Sequence, residues 1–478
     1  MTKRGILLHI SSLRGPYGCG SLGKEAYQFV DFLVKTHQSY WQILPIGPTS
    51  YGDSPYQTLS TFAGNPYFIC LDTLASEGLL TKSDLEEQKI KIQNKVDYGF
   101  LFNKRITSLK KAYNNFLPNQ EYLSFIEENK EWLNTYALFM HLKTLFNYQA
   151  WITWPSKYRL FSEDLFSSFY EKQKDEISLW FFIQYQFYKQ FKSLKTYANK
   201  QGIKIIGDIP IYVAYDSVDV WSNPKNYHLD ENLQMKAVAG VPPDLFTADG
   251  QLWGNPLYDY QHMEKDDFSW WKKRLKQANK LFDVIRVDHF RGFEAYYVVG
   301  ASEKTARSGH WEKAPGLKLW QAVKKEIPNI EIIAEDLGFL TPEVHKLVED
   351  LGFPGMKILQ FSLASPNPED YPEYFKANTV IYTGTHDNPP LKAWLKKLPK
   401  ENLFLLTKYL KQEENLVEEI IKCALRLKGK IIIIPIQDYL NLGSSARLNT
   451  PGTKEKNWTW RLAKNHLTKK LINKINNL

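Results

Sequence analysis

The sequence has few cysteines and no long apolar segment. Its 478 residues include three cysteines, at positions 19, 70 and 423, with no Cys-x-x-Cys pair and no cluster of cysteine with histidine. These counts argue against a disulfide scaffold and the usual zinc sites, and they predict reduced thiols in a cytoplasmic protein. No apolar run reaches the roughly 20 residues of a membrane-spanning helix, so we expect no membrane association. The run at 5–10, behind Lys3 and Arg4, is too short for a secretory signal.

The excess of positive charge is modest and dispersed. The chain carries 61 Lys and Arg against 52 Asp and Glu, a net charge of +9. Lysines alternate with acids along most of its length, and the one dense basic stretch, 464–474, is typical of a solvated helix. We therefore expect no nucleic-acid partner. Aromatic residues reach 14%, which fits a large core and a cleft that stacks on flat apolar ligand faces.

Short apolar runs alternate with helical patterns along the chain. The runs lie at 5–10, 41–46, 204–209, 284–288, 331–336, 356–359, 379–383 and 430–434, the sixth being the faintest. Helical patterns lie between them, at 26–34, 268–281, 317–327, 342–351 and 401–426. Alternating strands and helices predict a parallel sheet, and eight such strands predict an α/β fold of the (β/α)₈ TIM-barrel type.

Two connections in this barrel are long. We expect one catalytic barrel spanning 1–478, with a helical insertion at 66–203 between strands two and three. That segment is rich in Lys, Glu, Leu and Phe at helical spacing and lacks the bias of a linker. A second insertion, at 210–280 between strands three and four, is predicted to be loop-rich. Loops at the carboxyl ends of barrel strands are where this fold holds its binding sites.

The fourth run ends in an Arg-x-Asp pattern. Strand side chains alternate, so Arg286 and Asp288 point to one side, while Ile285 and Val287 point to the other. An arginine within reach favours an ionised carboxylate, which would make Asp288 available as a nucleophile. For an isolated Arg-x-Asp, a structural ion pair is the simpler interpretation. The rest of the site has to decide between the two.

Three carboxylates follow predicted strands: Asp288, Glu335 and Asp387. Because the carboxyl ends of barrel strands meet at one face, these acids are expected to converge. Retaining glycosyl transfer uses such acids, a nucleophile and a protonated acid/base about 5 Å apart. Crowding raises one carboxyl pKa, which suits Glu335 as the acid/base, and Asp387 would support the transition state. A divalent-metal site is the alternative, but it would need more clustered ligands, so we expect no metal and no cofactor.

Polar and aromatic residues accompany these acids. His386 stands beside Asp387 after a strand, where it is expected to donate to substrate oxygens. The stretch 50–57 follows strand two and is either a turn or a platform on which Tyr56 stacks against a ring. A polar loop at 447–452 follows strand eight. All three lie on the predicted catalytic face.

Six motifs occur in one order along the chain, at 11–15, 52–57, 207–213, 286–292, 334–338 and 385–388. Together they resemble the 4-α-glucanotransferases of the amylomaltase (disproportionating enzyme) family, glycoside hydrolase family 77 of the α-amylase clan. The resemblance covers essentially the whole chain. Tyr212 and Val213 stand where amylases carry an Asn-His pair, as is usual in this family.

The resemblance implies residue roles. Asp288 matches the nucleophile, Glu335 the acid/base and Asp387 the transition-state stabiliser. The residues matching positions around the sugar or in the loops over the cleft are Arg286, His386, Asp208, Tyr56, Ser54, Trp253, Asp244 and Asn449, with Tyr51 as a second glucan contact.

The resemblance also implies the reaction. A segment of a 1,4-α-glucan would pass through a covalent glycosyl-aspartate to the 4-hydroxyl of another glucan or of glucose. The expected partners are malto-oligosaccharides, amylose or glycogen-derived glucans. A retaining α-1,4-glucan hydrolase and a non-catalytic glucan-binding protein are the alternatives. The sequence leaves the oligomeric state, monomer or homodimer, and the preferred glucan length open.

Overall fold

The computed structural model describes residues 2–50, 52–91, 94–243, 248–338, 340–453 and 455–478. Its strands are β1 (Lys3–Leu7), β2 (Tyr40–Gln42), β3 (Lys204–Pro210), β4 (Ala237–Val241), β5 (Gln251–Pro256), β6 (Val284–Asp288), β7 (Ala295–Gly300), β8 (His310–Lys313), β9 (Ile332–Ala334), β10 (Gly355–Ile358), β11 (Thr379–Tyr382) and β12 (Ile431–Pro435). Its α-helices are α1 (Lys24–Lys35), α2 (Leu71–Ser76), α3 (Lys82–Glu87), α4 (Tyr98–Asn114), α5 (Gln120–Leu145), α6 (Glu163–Lys172), α7 (Lys174–Lys200), α8 (Val218–Ser222), α9 (Tyr260–Glu264), α10 (Ser269–Leu281), α11 (Gly316–Glu326), α12 (Pro342–Leu351), α13 (Leu359–Ser362), α14 (Leu391–Lys397), α15 (Lys400–Leu410), α16 (Leu416–Arg426), α17 (Ile436–Tyr439) and α18 (Lys469–Asn476).

Eight of the described strands form one parallel sheet, in the order β10-β11-β12-β1-β2-β3-β6-β9. The two ends of this order approach each other, since the N–H of Ala334, the last residue of β9, donates to the Pro354 carbonyl before β10 at 2.9 Å. The sheet is therefore a nearly closed barrel. The predicted (β/α)₈ fold is confirmed, and each predicted run contains or overlaps one of these strands.

The barrel strands divide their side chains between two apolar regions. One set fills the interior: Leu7, Tyr40, Ile206, Val284, Ile333, Met356, Ile358, Val380, Tyr382, Ile431 and Ile433. The alternate positions, among them Ile285 and Val287 of β6, pack outward into the large core beneath the helices. Each fully buried aliphatic side chain contributes about 1.5–3 kcal/mol by leaving water. The alternation predicted for β6 is confirmed.

Helix α12 shows how local signals set the helix bounds. Thr341 precedes it in an extended conformation and Pro342 occupies its first turn, where the missing N–H costs nothing. Its buried residues repeat at helical spacing: Val344, Leu347, Val348 and Leu351. Gly352 ends the helix with φ of 68°, a left-handed conformation that glycine adopts without strain. The predicted helix at 342–351 is therefore reproduced.

Helices α2 to α7 occupy the chain between β2 and β3, and the long helices α5 and α7 pack against each other. Two buried glutamines of α7 connect this segment to the chain that follows β2. Gln184 exchanges two hydrogen bonds with the backbone of Gly64, at 2.8 and 3.0 Å. Gln190 accepts from the Cys70 N–H at 2.7 Å. The Gln184 contact thus ties the helical segment to the chain that leaves β2, and the Gln190 contact ties α7 to the start of α2.

A second, antiparallel sheet stands beside the barrel, in the order β5-β4-β7-β8. The sequence analysis did not predict it. The run of β4, Ala-Val-Ala-Gly-Val, carries small side chains with no polar alternation, and three of the four residues of β8 are exposed. The predicted single helix at 401–426 was also wrong. It is divided into α15 and α16, because Lys411 and Asn415 adopt left-handed conformations with φ of 52° and 53°.

Among the helices in the described part of the chain, none combines the length and the apolar character needed to cross a bilayer.

Candidate active site

Arg286 stands at the centre of the site. Its guanidinium donates to both carboxylate oxygens of Asp208 at 2.8 and 2.7 Å, and to Oδ1 of Asp288 at 2.8 Å. Register places Asp208 of β3 directly beside Arg286 of β6. Burial disfavours the charge, but the two carboxylates outweigh it and raise the pKa of Arg286 well above its usual value. One permanently charged arginine therefore joins a buried aspartate to a partly exposed one.

The two aspartates bound to Arg286 differ in exposure. The side chain of Asp208 is completely buried, whereas that of Asp288 is 31% exposed. Asp208 and Arg286 form a buried ion pair. Asp288, the second partner of Arg286, is partly exposed at the barrel mouth. Gly207, next to Asp208, leaves room for the Phe282 ring before β6, because a Cβ there would come within 2.1 Å of it.

Glu335 follows β9 and faces the same end of the barrel. Its Oε2 accepts the His289 N–H at 2.7 Å, and its Oε1 accepts the Leu337 N–H at 3.2 Å. Burial, and then the negative charge of Asp288, raise the pKa of Glu335 to about 8. At neutral pH this carboxyl is therefore mostly protonated, as an acid that donates to a leaving group has to be.

Asp387 lies in the loop after β11 and is contacted from the loop after β12. The Asn449 side-chain amide donates to its Oδ1 at 2.6 Å, and Arg447 donates to its backbone carbonyl at 2.6 Å. The Nε2 of His386 lies 3.4 Å from the same Oδ1. The Asp387 side chain remains 43% exposed. Its position is therefore fixed from one side while the other side opens to the cleft.

Asp438, in α17, supports the loop that carries Asp387. It accepts the Thr383 hydroxyl at 2.7 Å and the Leu391 N–H at 2.7 Å. These two residues stand at the two ends of the loop, so one buried carboxylate holds both. Burial raises the pKa of Asp438 to about 6. Sequence analysis missed this residue, although an acid three positions after an isoleucine run and Pro435 was a visible signal.

Tyr56 links three parts of the site. Its hydroxyl donates to Oδ2 of Asp208 at 2.8 Å and lies 3.4 Å from Nδ1 of His386. Its ring stacks on the His386 ring, with centroids 5.0 Å apart and planes 18° apart. Ser54 lies within the turn before it, where its Oγ accepts the Tyr56 N–H at 3.3 Å. The stretch is thus a turn, and it positions Tyr56 among the predicted site residues.

Trp253 of β5 reaches the same region from the antiparallel sheet. Its indole meets the ring of His289 edge-on, with centroids 4.7 Å apart and planes 88° apart. His289 immediately follows Asp288, so the second sheet contacts the residue next to the candidate nucleophile. The two remaining predicted site residues, Tyr51 and Asp244, lie outside the described residues.

The acids of the site are held by nitrogen donors: Arg286 for Asp288, backbone N–H groups for Glu335 and Asn449 for Asp387. Within the residues that the structure describes, no group of three or more His, Cys, Asp or Glu side chains is placed to hold a metal ion. Three carboxyl groups at one end of a parallel barrel, one of them with a raised pKa, are the arrangement that barrel enzymes acting on glycosidic bonds use.

Comparison with known proteins gives the family. Residues 8–468 match the family model described as 4-alpha-glucanotransferase. The 4-alpha-glucanotransferase of Clostridium butyricum is 47% identical over 476 residues, covering 98% of both chains. That of Thermus thermophilus is 42% identical, covering 97% of this chain and 95% of its own. The chain belongs to the 4-alpha-glucanotransferase family.

Solved structures agree with this assignment. An amylomaltase from Streptococcus agalactiae, in complex with acarbose, superposes with a TM-score of 0.96 at 39% identity, covering all of this chain and 98% of its own. An amylomaltase from Corynebacterium glutamicum shares the fold, with a TM-score of 0.81 at 17% identity, over all of this chain and 74% of its own. The predicted enzyme class and activity, transfer of 1,4-α-glucan segments, are confirmed. The family favours transfer over the two alternatives, hydrolysis and binding without catalysis.

Proposed function

We propose that Asp288 is the nucleophile, Glu335 the acid/base and Asp387 the transition-state stabiliser of a retaining double displacement. The observation that carries this assignment is the contrast between two neighbouring carboxyl groups. Asp288 is paired with a permanently charged arginine, whereas the pKa of Glu335 is raised to about 8 by burial and by the charge of Asp288. A nucleophile and a proton donor need these opposite states.

In the first step a carboxylate oxygen of Asp288 attacks the anomeric carbon of the donor glucan. Arg286 binds Oδ1, and we assign the attack to Oδ2. As the bond to the glycosidic oxygen breaks, Glu335 gives that oxygen its proton, and the shortened glucan or glucose leaves. The transition state carries positive charge on the sugar, which Asp387 stabilises from its position between Asn449 and the cleft.

In the second step the 4-hydroxyl of an acceptor glucan enters on the side that the first product left. Glu335, now ionised, takes the hydroxyl proton while the oxygen attacks the anomeric carbon. The ester bond to Asp288 breaks, and the original configuration returns after two inversions. One glycosidic bond has been exchanged for another without consuming water.

The other predicted site residues surround these acids. We infer that Arg286, Asp208, Tyr56 and His386 hold the donor sugar and the nucleophile, because one hydrogen-bonded network connects them. Trp253 and Asn449 reach the acids from other parts of the chain, and we assign them to the acceptor. The support for this is their position on β5 and in the loop after β12. Ser54, Tyr51 and Asp244 stay predicted substrate contacts.

We also propose the setting of the reaction. Malto-oligosaccharides, amylose and glycogen-derived glucans are the substrates that suit this exchange, and the relative from Streptococcus agalactiae was solved in complex with acarbose. Three free cysteines favour a reducing cytoplasm. The segments at 66–203 and 210–280 act as insertions of one catalytic unit, and the buried contact of Gln184 with Gly64 supports this for the first segment.

Incubation with maltotriose tests this function. Transfer predicts a ladder of longer oligosaccharides together with glucose and maltose, because each covalent intermediate is passed to another sugar. Glucose and maltose alone would indicate hydrolysis. In the variants Asp288→Asn and Glu335→Gln, the rate at which the ladder forms is expected to fall by a factor of about 10³ or more. An unchanged rate in either variant would remove that residue from the mechanism.

A further inference from the structure

His289 has an unusual backbone conformation at a critical place. It directly follows the proposed nucleophile, and its φ and ψ of 55° and 49° are left-handed. Residues with a Cβ seldom adopt this conformation, because the side chain approaches the backbone too closely. In this conformation the backbone N–H of His289 donates to Oε2 of Glu335 at 2.7 Å. The turn that carries the nucleophile therefore also holds the acid/base.

The surroundings hold His289 in this conformation. The edge-on contact with Trp253 fixes one side of the imidazole, and Tyr212 lies 6.4 Å away, centroid to centroid. The Gly292 N–H donates to the His289 carbonyl at 3.0 Å and closes the turn. A Cβ at Gly292 would come within 2.8 Å of Ile211 and 3.3 Å of the imidazole. Strained conformations persist where neighbours determine them in this way.

The surroundings of the imidazole disfavour its charged form. Burial, with a further contribution from the positive charge of Arg291, lowers the pKa of His289 to about 3. It is therefore neutral throughout the range in which the enzyme would work. His289 contributes its backbone N–H to the site, and its ring packs against Trp253.

Glu335 receives a second backbone donor. The Leu337 N–H points to Oε1 at 3.2 Å, so each carboxyl oxygen faces one N–H group. Backbone donors favour the ionised form, which the second step requires, and they fix the plane of the carboxyl group. The charged and titratable groups that face Glu335 are Asp288, Arg286, Asp336 and, from β11, Tyr382.

We propose that His289 is a positioning residue for the acid/base: its left-handed backbone aims the N–H that orients Glu335, and the contact of its ring with Trp253 maintains that backbone. This inference rests on the role proposed for Glu335. If the turn relaxes to an ordinary conformation, the N–H rotates away. Glu335 then loses both an orienting contact and a group that stabilises its anion.

Three substitutions of His289 all remove the imidazole but differ in how well they tolerate the left-handed conformation. Comparing them distinguishes the effect of the backbone conformation from the effect of losing the ring. Glycine tolerates the left-handed conformation, alanine opposes it and the β-branched valine opposes it most. Turnover on maltotriose should therefore fall in the order His289→Gly, His289→Ala, His289→Val, with about tenfold between the first and the last. In His289→Val the alkaline limb of the pH profile should move to higher pH. Equal rates and unshifted limbs in the three variants would overturn the proposal.

A second substrate identifies the step at fault. α-Maltosyl fluoride needs no proton for its leaving group, and azide needs no base to attack the covalent intermediate. With both, His289→Val should recover to within about twofold of His289→Gly, because the work of Glu335 is bypassed. If the difference between the two variants persists with both reagents, the defect is elsewhere and the proposal fails.

Two controls keep the result interpretable. Glu335→Gln should be rescued by the same reagents, and failure of that rescue would count against the role of Glu335 itself. With Glu335→Gln rescued, equal rates in the His289 series would refute the positioning role alone.

If His289→Val does not fold, His289→Asn replaces it as the test, since asparagine accepts the left-handed region more readily than alanine. It should then turn over faster than His289→Ala, and the reverse order would refute the proposal.

Discussion

Arg286 of β6 and Asp208 of β3 form a buried ion pair in which one guanidinium nitrogen lies 2.8 and 2.7 Å from the two carboxylate oxygens. The same guanidinium reaches Asp288 through its other terminal nitrogen. Because Asp208 also accepts the Tyr56 hydroxyl, the pair is the point at which β3, β6 and the turn after β2 share one network. We therefore expect both the stability of the fold and the transfer activity to depend on this contact.

Substituting Arg286 should lower both the stability of the fold and the transfer activity. Arg286→Met leaves Asp208 buried without its cation, which typically costs about 3–5 kcal/mol of unfolding free energy. Transfer should also be lost, because Asp288 loses its partner. Urea unfolding and maltotriose turnover measure the two effects. Lys204→Met is the matched control, since its ion pair with Glu331 is exposed and should contribute only about 0–1 kcal/mol. Equal effects of the two substitutions would contradict this assignment.

The pH dependence of transfer should report Glu335. Protonated Glu335 is needed when the donor is cleaved, and its pKa is raised to about 8. The value of kcat/KM for maltotriose should therefore fall as the pH rises through about 8. Measuring initial rates from pH 6 to 10 at constant ionic strength checks this. A rate that stays level up to pH 10 would show that no acid with this pKa takes part.

The same shift has a consequence for stability. The ordinary pKa of a glutamate side chain is 4.5, and that of Glu335 in the folded protein is raised to about 8. Between pH 4.5 and about pH 8 the folded protein therefore binds more protons at Glu335 than the unfolded chain does. The unfolding free energy therefore decreases with rising pH in this window. Glu335→Gln removes that dependence and should stabilise the protein at pH 7, by on the order of 2 kcal/mol. Denaturant unfolding at pH 5 and pH 7 tests this, with exposed Glu331→Gln as control. A gain no larger at pH 7 than at pH 5 would contradict it.

Asp438 should matter although it is remote from the sugar. Asp438→Ala leaves the Thr383 hydroxyl and the Leu391 N–H without their acceptor, at a cost of about 1–3 kcal/mol. The loop carrying Asp387 loosens, so kcat should fall more than KM changes. The surface substitution Asp350→Ala, which breaks an exposed helical ion pair with Lys346, serves as control. Unchanged kcat with reduced stability would limit Asp438 to a structural role.

Tyr56→Phe tests the hydroxyl separately from the ring. The phenyl ring can still stack on His386, while the hydrogen bond to Asp208 disappears. A hydrogen bond to a charged group contributes about 1.5–3 kcal/mol, so kcat/KM should fall roughly tenfold or more. Tyr56→Leu should cost more because it also removes the stacking. If both variants match the parent enzyme, the network around Asp208 has no part in binding the donor.

Much of the barrel was predictable because its strands are short aliphatic runs that end in polar residues. Positions 284–288 and 342–351 were predicted with the bounds of β6 and α12. The antiparallel sheet was not, because the small residues of β4 and the exposed residues of β8 carry little periodic signal. Left-handed Lys411 and Asn415, which divide α15 from α16, look like ordinary helix positions in the sequence.

The candidate site was predictable where side chains carry it. Asp288, Glu335 and Asp387 converge because parallel strands end at one face. The donors that hold Glu335 are backbone N–H groups of His289 and Leu337, and every residue type except proline can supply such a group. Patterns of side chains in the sequence do not indicate which backbone N–H groups act as donors. The His289 contact depends on the left-handed conformation of the turn after β6, which the sequence does not display.

The covalent intermediate is the most direct test of the account. The Glu335→Gln variant should react with α-maltosyl fluoride, release fluoride and accumulate a glycosyl-enzyme, because no base activates the acceptor. Mass spectrometry of the intact protein and of its peptides should then find one maltosyl group on Asp288, and none when Asp288→Asn is added to the variant. A maltosyl group on another residue, or fluoride release with no covalent adduct, would contradict the double displacement through Asp288.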